Sequence, residues 1–267
     1  MDANLISDAM LARLPLPGAR VTRPRHLRTM RLALADGAAT TVHVATHDLR
    51  KVTPRVVRIT HPTPLEHWCQ SNGVAEAIVG GFFVRPDGVP LGELRTSGIV
   101  RTAVAFDAPW AALRACLHVM GATVALARRD ALPAEPAGDL LQAGPLLVHD
   151  GQACVEQDIE GFSAGQRQFD SDITAGRYPR AALGLTADGR MLAVACDGRA
   201  EHEAGLTIAE LAETMVALGA RAALNLDGGG STSLVCGGHL RNVPREAHGI
   251  TLAGGRAVST AIAFTPR

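Results

Sequence analysis

Residues 207–235 read TIAELAETMVALGARAALNLDGGGSTSLV, and the strongest local signals in the chain lie here. Thr207 followed three residues later by Glu210 is a capping box, in which each side chain answers a backbone N–H at the helix start. Ile208, Leu211, Met215 and Leu218 then recur at spacings of three and four, giving one apolar face, and Gly219 supplies the stop. AALNL reads as a buried strand and SLVCGG as another. Between them lie Asp227, the glycines Gly228, Gly229 and Gly230, and three hydroxyl residues. Consecutive glycines are entropically costly, so they belong where side chains would obstruct a tight turn or a ligand. Successive glycine N–H groups can form an anion-binding nest, with Ser231 and Thr232 as added donors. A turn capped by hydroxyls is the competing reading of the loop alone.

Standard phosphate and nucleophile motifs do not fit this loop. No lysine follows the glycines, as a P-loop requires. The text runs into strand-like residues instead of the helix that a dinucleotide fingerprint opens. Ser231 is flanked by Gly230 and Thr232, which breaks the G-x-S-x-G pattern of a hydrolase elbow.

The chain has 267 residues with 47% hydrophobic and 19% charged, enough for a substantial core. Formal net charge is zero, which argues against nucleic acid as a partner. No run approaches the ~18 apolar residues of a membrane helix, so no membrane partner is expected. The start, MDANLISDAMLARLPLPGAR, lacks a basic segment followed by an apolar one, and the expectation is a cytoplasmic protein. Five widely spaced cysteines without a CxxC suit reduced thiols. Lys51 is the only lysine, so any anion clamp must use arginine forks or backbone amides.

Residues 1–30, punctuated by proline and arginine, read as an N-terminal arm. RLALA, the turn Asp36-Gly37, TTVHVATHDL and VTPRVVRIT then read as strands and their connection, and PLEHWCQSN as a short helix stopping at Gly73. RRDALPAEPAGD resembles a linker, and Asp150-Gly151 ends the apolar run of AGPLLVHDG. AALGLTADGRMLAVACDGR carries a hairpin signature, with Asp188-Gly189 suited to a type I′ turn. His43 and His47 lie in period-two text, and HEAG at 202–205 lacks the second histidine of H-E-x-x-H, so no histidine-based zinc centre is expected. A divalent cation held by Asp227 and backbone oxygens is compatible with the pattern; no cofactor is required by it. The expected fold is α+β: one domain over 31–267 of mixed, mostly antiparallel β-sheet flanked by a few helices.

The ordered set AIVGGFF, AGPLLVHDG, YPRAALGLTADGRMLAVACDGR and NLDGGGS resembles the phosphodiester glycosidase family over roughly residues 74–264. Asn242-Val243-Pro244 and the Arg256 segment are similar to that family's later motifs. Four positions depart from its pattern: Val79 and Thr260 stand where it carries asparagine, Ala181 where it carries threonine, and Gly255 where it carries glutamate. The resemblance implies a hydrolase that cleaves the glycosidic C–O bond of a sugar-1-phosphodiester, its small-molecule partner. Phosphate is a good leaving group, so such a site needs an anion clamp and a carboxylate more than a strong acid. Asp227 is the first candidate for the carboxylate and Asp197, leaving the hairpin, the second. Arg180, Arg199 and Arg256 match motif positions as clamp candidates, with Gly228, Gly229, Gly230, Ser231, Thr232 and Gly81 beside them. Of Phe82 and Phe83, one reads as core and the other, Phe83, as a sugar-stacking face. The alternatives are a sugar-phosphate binding module with a weakened site, and a phosphodiesterase that cleaves P–O.

Overall fold

A computed structural model of the chain describes residues 24–155 and 176–267. It opens with β1 (Leu27–Ala33), β2 (Ala39–Asp48), β3 (Val52–Pro64), α1 (Leu65–Asn72), β4 (Ala77–Val79), β5 (Phe83–Val84) and β6 (Val89–Pro90). There follow β7 (Leu94–Thr96), β8 (Ile99–Val100), α2 (Trp110–Leu113), β9 (Ala115–Met120), β10 (Thr123–Arg128), β11 (Asp139–Gln142), β12 (Leu146–His149) and β13 (Gln152–Ala153). The last part holds β14 (Arg180–Thr186), β15 (Arg190–Cys196), α3 (Ile208–Ala217), β16 (Ala220–Asn225), β17 (Leu234–Cys236), β18 (His239–Leu240) and β19 (Ala257–Pro266).

Three sheets carry the architecture. The largest runs β1-β2-β15-β14-β16-β12-β13; two five-stranded sheets run β18-β17-β4-β19-β3 and β10-β9-β11-β7-β8. Among the described residues every named strand pair is antiparallel, the parallel Leu91–Val104 contact being an isolated bridge. The mostly antiparallel sheets with few helices are as expected; with three α-helices among the described residues the fold is mostly β. No helix among the described residues is long and apolar enough to cross a membrane.

Strand periodicity explains the layering. Ala181 and Leu183 of β14 face a core shared by all three sheets, whereas Ala182 faces the opposite layer under α3. The Thr207–Glu210 capping box is present in full, and Ile208, Leu211 and Met215 bury the apolar face of α3. Burying each such side chain is worth about 1.5–3 kcal/mol.

Local readings differ from the structure at three places. The first strand begins at Leu27, inside the arm expected over 1–30, because its residues pair with Ala39–Ala45 of β2; residues 1–23 lie outside the described part. RRDALPAEPAGD is a loop within one sheet, pinned by Arg129 to Glu93 (2.5 Å) and by Arg95 to Glu135 (2.8 Å). Asp188 is not among the residues with positive φ, and the Gly189 N–H donates to Thr186 O (3.2 Å), so this hairpin does not use a type I′ turn. Pairs that do enter the left-handed region twice are Asp150-Gly151 (φ 50° and 81°), joining β12 to β13, Ser97-Gly98, joining β7 to β8, and Gly237-Gly238, joining β17 to β18.

Candidate active site

Asp227 lies two residues past the end of β16 at Asn225, and its N–H donates to Gly80 O (3.0 Å). Gly80 in turn donates to Thr260 O (3.0 Å), so one residue stitches the largest sheet to the β3 sheet beneath the aspartate. A Cβ on Gly80 would lie 2.4 Å from the Thr260 hydroxyl, which is why no larger residue fits. The Asp227 carboxylate accepts the Gly228 N–H (2.9 Å) and the Ser231 hydroxyl. Burial raises its pKa from 3.8 to about 6, against the pull of Arg256, Ser231, the Gly228 N–H and Arg85.

Ser231 relays to a second carboxylate. Its hydroxyl accepts from Arg256 Nη1 (3.1 Å), while Arg256 Nε and Nη2 donate to Glu246 Oε1, the former at 2.7 Å. Burial opposes ionisation of Glu246, but the Arg256 hydrogen bond and the charges of Arg256, Arg85 and Arg199 outweigh it and hold its carboxyl low. The result is two carboxyls tuned in opposite directions around one arginine. Arg199, at φ 58°, donates from Nη1 to Arg245 O (3.1 Å) and lies 5.0 Å from the Tyr178 ring centre. It also lines a shallow surface depression with Ala200, Glu203, His248 and Gly249.

The three glycines are explained by what presses on them. A Cβ at Gly228 would lie 2.9 Å from Pro179 O, one at Gly229 3.2 Å from the Arg199 guanidinium, and one at Gly230 2.8 Å from the Glu246 carboxylate. Most loop amides are used internally, which differs from the expected anion nest. Gly228 donates to Asp227, Gly229 to Pro179 O (2.8 Å), Ser231 to Gly228 O (3.1 Å) and Thr232 to Gly229 O (3.1 Å). Glycine here lets charged side chains approach the backbone closely.

The other candidates have different partners. The buried Arg180 donates Nε to Leu206 O (2.9 Å) and Nη2 to Gly176 O (2.9 Å), so those donors hold main chain together instead of facing a ligand. Asp197 accepts from Val243 N–H (2.6 Å) and meets His43 Nε2 (3.2 Å), tying β2 to the Asn242–Pro244 segment. These partners are different from those of Asp227. Phe83 packs in the main core and Phe82 with Leu91 and Phe106, so neither ring offers a stacking face. Thr232 is wholly enclosed, and its Oγ1 finds no partner among the described residues. The Gly81 N–H donates to Thr260 Oγ1 (3.0 Å). Asp227, Ser231, Arg256, Arg199 and the glycines thus come together, with Glu246 and Arg85 as members that sequence reasoning missed. One signal marked Glu246: it is the only acidic residue after Asp227.

A buried acid, an arginine and a glycine loop thus meet at a seam between sheets. The sequence matches the phosphodiester glycosidase family over residues 72–265, and the chain belongs to that family. Among solved structures it is similar to the zebrafish N-acetylglucosamine-1-phosphodiester alpha-N-acetylglucosaminidase catalytic domain auto-inhibited by its pro-peptide. That match has TM-score 0.69 and 18% identity, covering 90% of this chain and 82% of that one. A hypothetical protein from Synechocystis matches at TM-score 0.60 and 20% identity, covering 90% of this chain and 62% of the other. A putative exported protein of Burkholderia pseudomallei matches at 0.59 and 17%, covering 86% and 75%. These likenesses show the fold. No curated protein matches the sequence.

Proposed function

We propose that the protein is a hydrolase cleaving the glycosidic C–O bond of a sugar-1-phosphodiester, with Asp227 as general base. The observation that carries this reading is the Asp227 carboxyl, buried, raised to about 6 and bonded through Ser231 to Arg256. A base of that pKa accepts a proton from water far better at neutral pH than an ordinary aspartate. Water attacks the anomeric carbon, Asp227 takes its proton, and the bond to the phosphate oxygen breaks to release a phosphate monoester. Arg199, Arg85 and the remaining face of Arg256 stabilise the departing charge. Glu246 keeps Arg256 oriented and is the second carboxylate of the site.

At two of the departures from the family pattern, groups of this chain make the local contacts. Thr260 supplies a hydroxyl to Gly81, and Glu246 supplies Arg256 with a carboxylate although position 255 is glycine. The test is turnover of a panel of sugar-1-phosphodiesters by the wild type and by Asp227→Asn, run in oxygen-18 water. Label in the released sugar, with loss of release in the variant, supports the reading. Label in phosphate assigns P–O cleavage instead, and tight binding without turnover by either protein assigns a binding module.

A further inference from the structure

Four chain segments converge at the end of β2, away from the Asp227 loop. The Thr46 N–H donates to His26 O (3.0 Å), which lays the start of β1 along β2. Phe264 N–H donates to Glu76 O (2.9 Å), setting Glu76 beside β19, and the Phe264 ring stacks on His47 at 3.8 Å. Gly237 N–H donates to Glu76 Oε1 (2.8 Å), bringing in the end of β17 and Cys236. One donor atom each from His26, His47 and Glu76 lies within 4.8 Å of the other two. His26 Nε2 also meets Cys236 Sγ at 3.2 Å and Glu76 Oε2 at 3.1 Å.

A hydrogen-bonded cluster of histidine, glutamate and thiol satisfies itself without a metal, but this one leaves a remainder. His47 is buried, and its Nε2 finds no hydrogen-bond partner among the described residues. An unpaired buried polar nitrogen is destabilising, whereas a neutral imidazole is what a metal ion binds. We propose that His26, His47, Glu76 and Cys236 bind a zinc(II) ion that clips the start of β1 to the ends of β2 and β17. Two nitrogens, one sulfur and one oxygen suit zinc and disfavour calcium or magnesium. Tetrahedral zinc places such donors about 3.3–3.6 Å apart; His26, His47 and Glu76 already lie within 4.8 Å of one another, and Cys236, whose Sγ meets His26 at 3.2 Å, must swing toward the other two to complete the site. Four protein ligands leave no open position, which makes the ion structural. On binding, the Cys236 thiol loses its proton to solvent and becomes the thiolate ligand.

The test is cobalt(II) titration of the metal-free full-length chain, followed by displacement with zinc. The expected result is saturation at one equivalent, with a thiolate charge-transfer band and intense tetrahedral ligand-field bands. Cys236→Ser removes the charge-transfer band. His26→Gln changes a partly exposed side chain and leaves the core intact, yet weakens zinc binding by at least about tenfold. Zinc raises the melting temperature of the wild type and not of this variant. Asp227→Asn retains the full cobalt spectrum, which separates this site from any cation at the active site. Absence of a one-equivalent cobalt band, or unchanged zinc affinity in His26→Gln, overturns the proposal.

Discussion

Replacing Asp227 by asparagine should make the protein more stable at neutral pH while removing the proposed base. The carboxyl titrates at about 6 in the folded chain, and 3.8 is its value without the fold, because burial dominates the charges of Arg256 and Arg85. The folded state therefore binds more protons than the unfolded state between those two values, and wild-type stability falls as pH rises through that window. About two pH units correspond to roughly 3 kcal/mol, fully present as a deficit once the pH exceeds about 6. The asparagine side chain has no such titration and keeps a hydrogen-bonding oxygen for the Gly228 N–H. The difference in unfolding free energy between variant and wild type should open by about 2.4 kcal/mol from pH 4 to pH 7, or about 5–10 °C in melting temperature. Urea unfolding of both proteins across that range measures it, and every other titrating group cancels in the difference. A difference that stays flat, or closes as pH rises, would refute burial as the dominant force on this carboxyl. On the proposed mechanism, wild-type kcat/KM should also rise with pH through about 6, as Asp227 ionises.

Gly228→Ala sets a methyl 2.9 Å from the Pro179 carbonyl, which cannot move cheaply, so stability should drop by about 1–3 kcal/mol in denaturant melts. Gly230→Ala instead meets the flexible Glu246 carboxylate at 2.8 Å; stability should change by less than about 1 kcal/mol while turnover falls at least tenfold, about 1.4 kcal/mol of barrier. Arg180→Lys loses the fork that bonds both Leu206 O, which keeps the Tyr178 N–H (3.2 Å), and Gly176 O, and should lose about 1–2 kcal/mol of stability in the same melts. Asp197→Asn keeps an acceptor for Val243 but loses the charge facing His43; a loss of about 1–3 kcal/mol is expected, with the pH midpoint of kcat/KM unmoved.

What the sequence disclosed was local. The Thr207–Glu210 box, the spacing through Met215 and the stop at Gly219 each involve residues within a few positions, and all three are present. Asp227 was legible because strand, carboxylate and glycines are contiguous. The motif position of Arg180 says nothing of its direction; two of its donors turn toward Leu206 and Gly176 while its side chain lies against Gly228. Glu246 was hidden because its partner stands ten residues on, across a loop without periodicity that is closed by the Arg245–Thr251 bridge. The Asp188-Gly189 pair carried the right residues for a type I′ turn, yet Thr186 hydroxyl bonds to Asp188 (2.5 Å) and Arg190 fix another geometry. His26, His47, Glu76 and Cys236 span most of the chain, and only strand pairing brings them together.

Gly255 and Glu246 are best understood together. Gly255 sits at φ 87°, and a Cβ there would lie 2.8 Å from Ser233 Oγ and 3.3 Å from Pro244. No side chain fits that position, so a glutamate at 255 is incompatible with this packing. Arg256 nonetheless has a carboxylate, delivered by a loop that reaches back from Glu246 over the Gly230 backbone. The loop can approach only because position 230 lacks a Cβ. The glycine run therefore turns the chain and, where the sequence suggested an anion nest, makes room instead for the charged groups that surround Asp227.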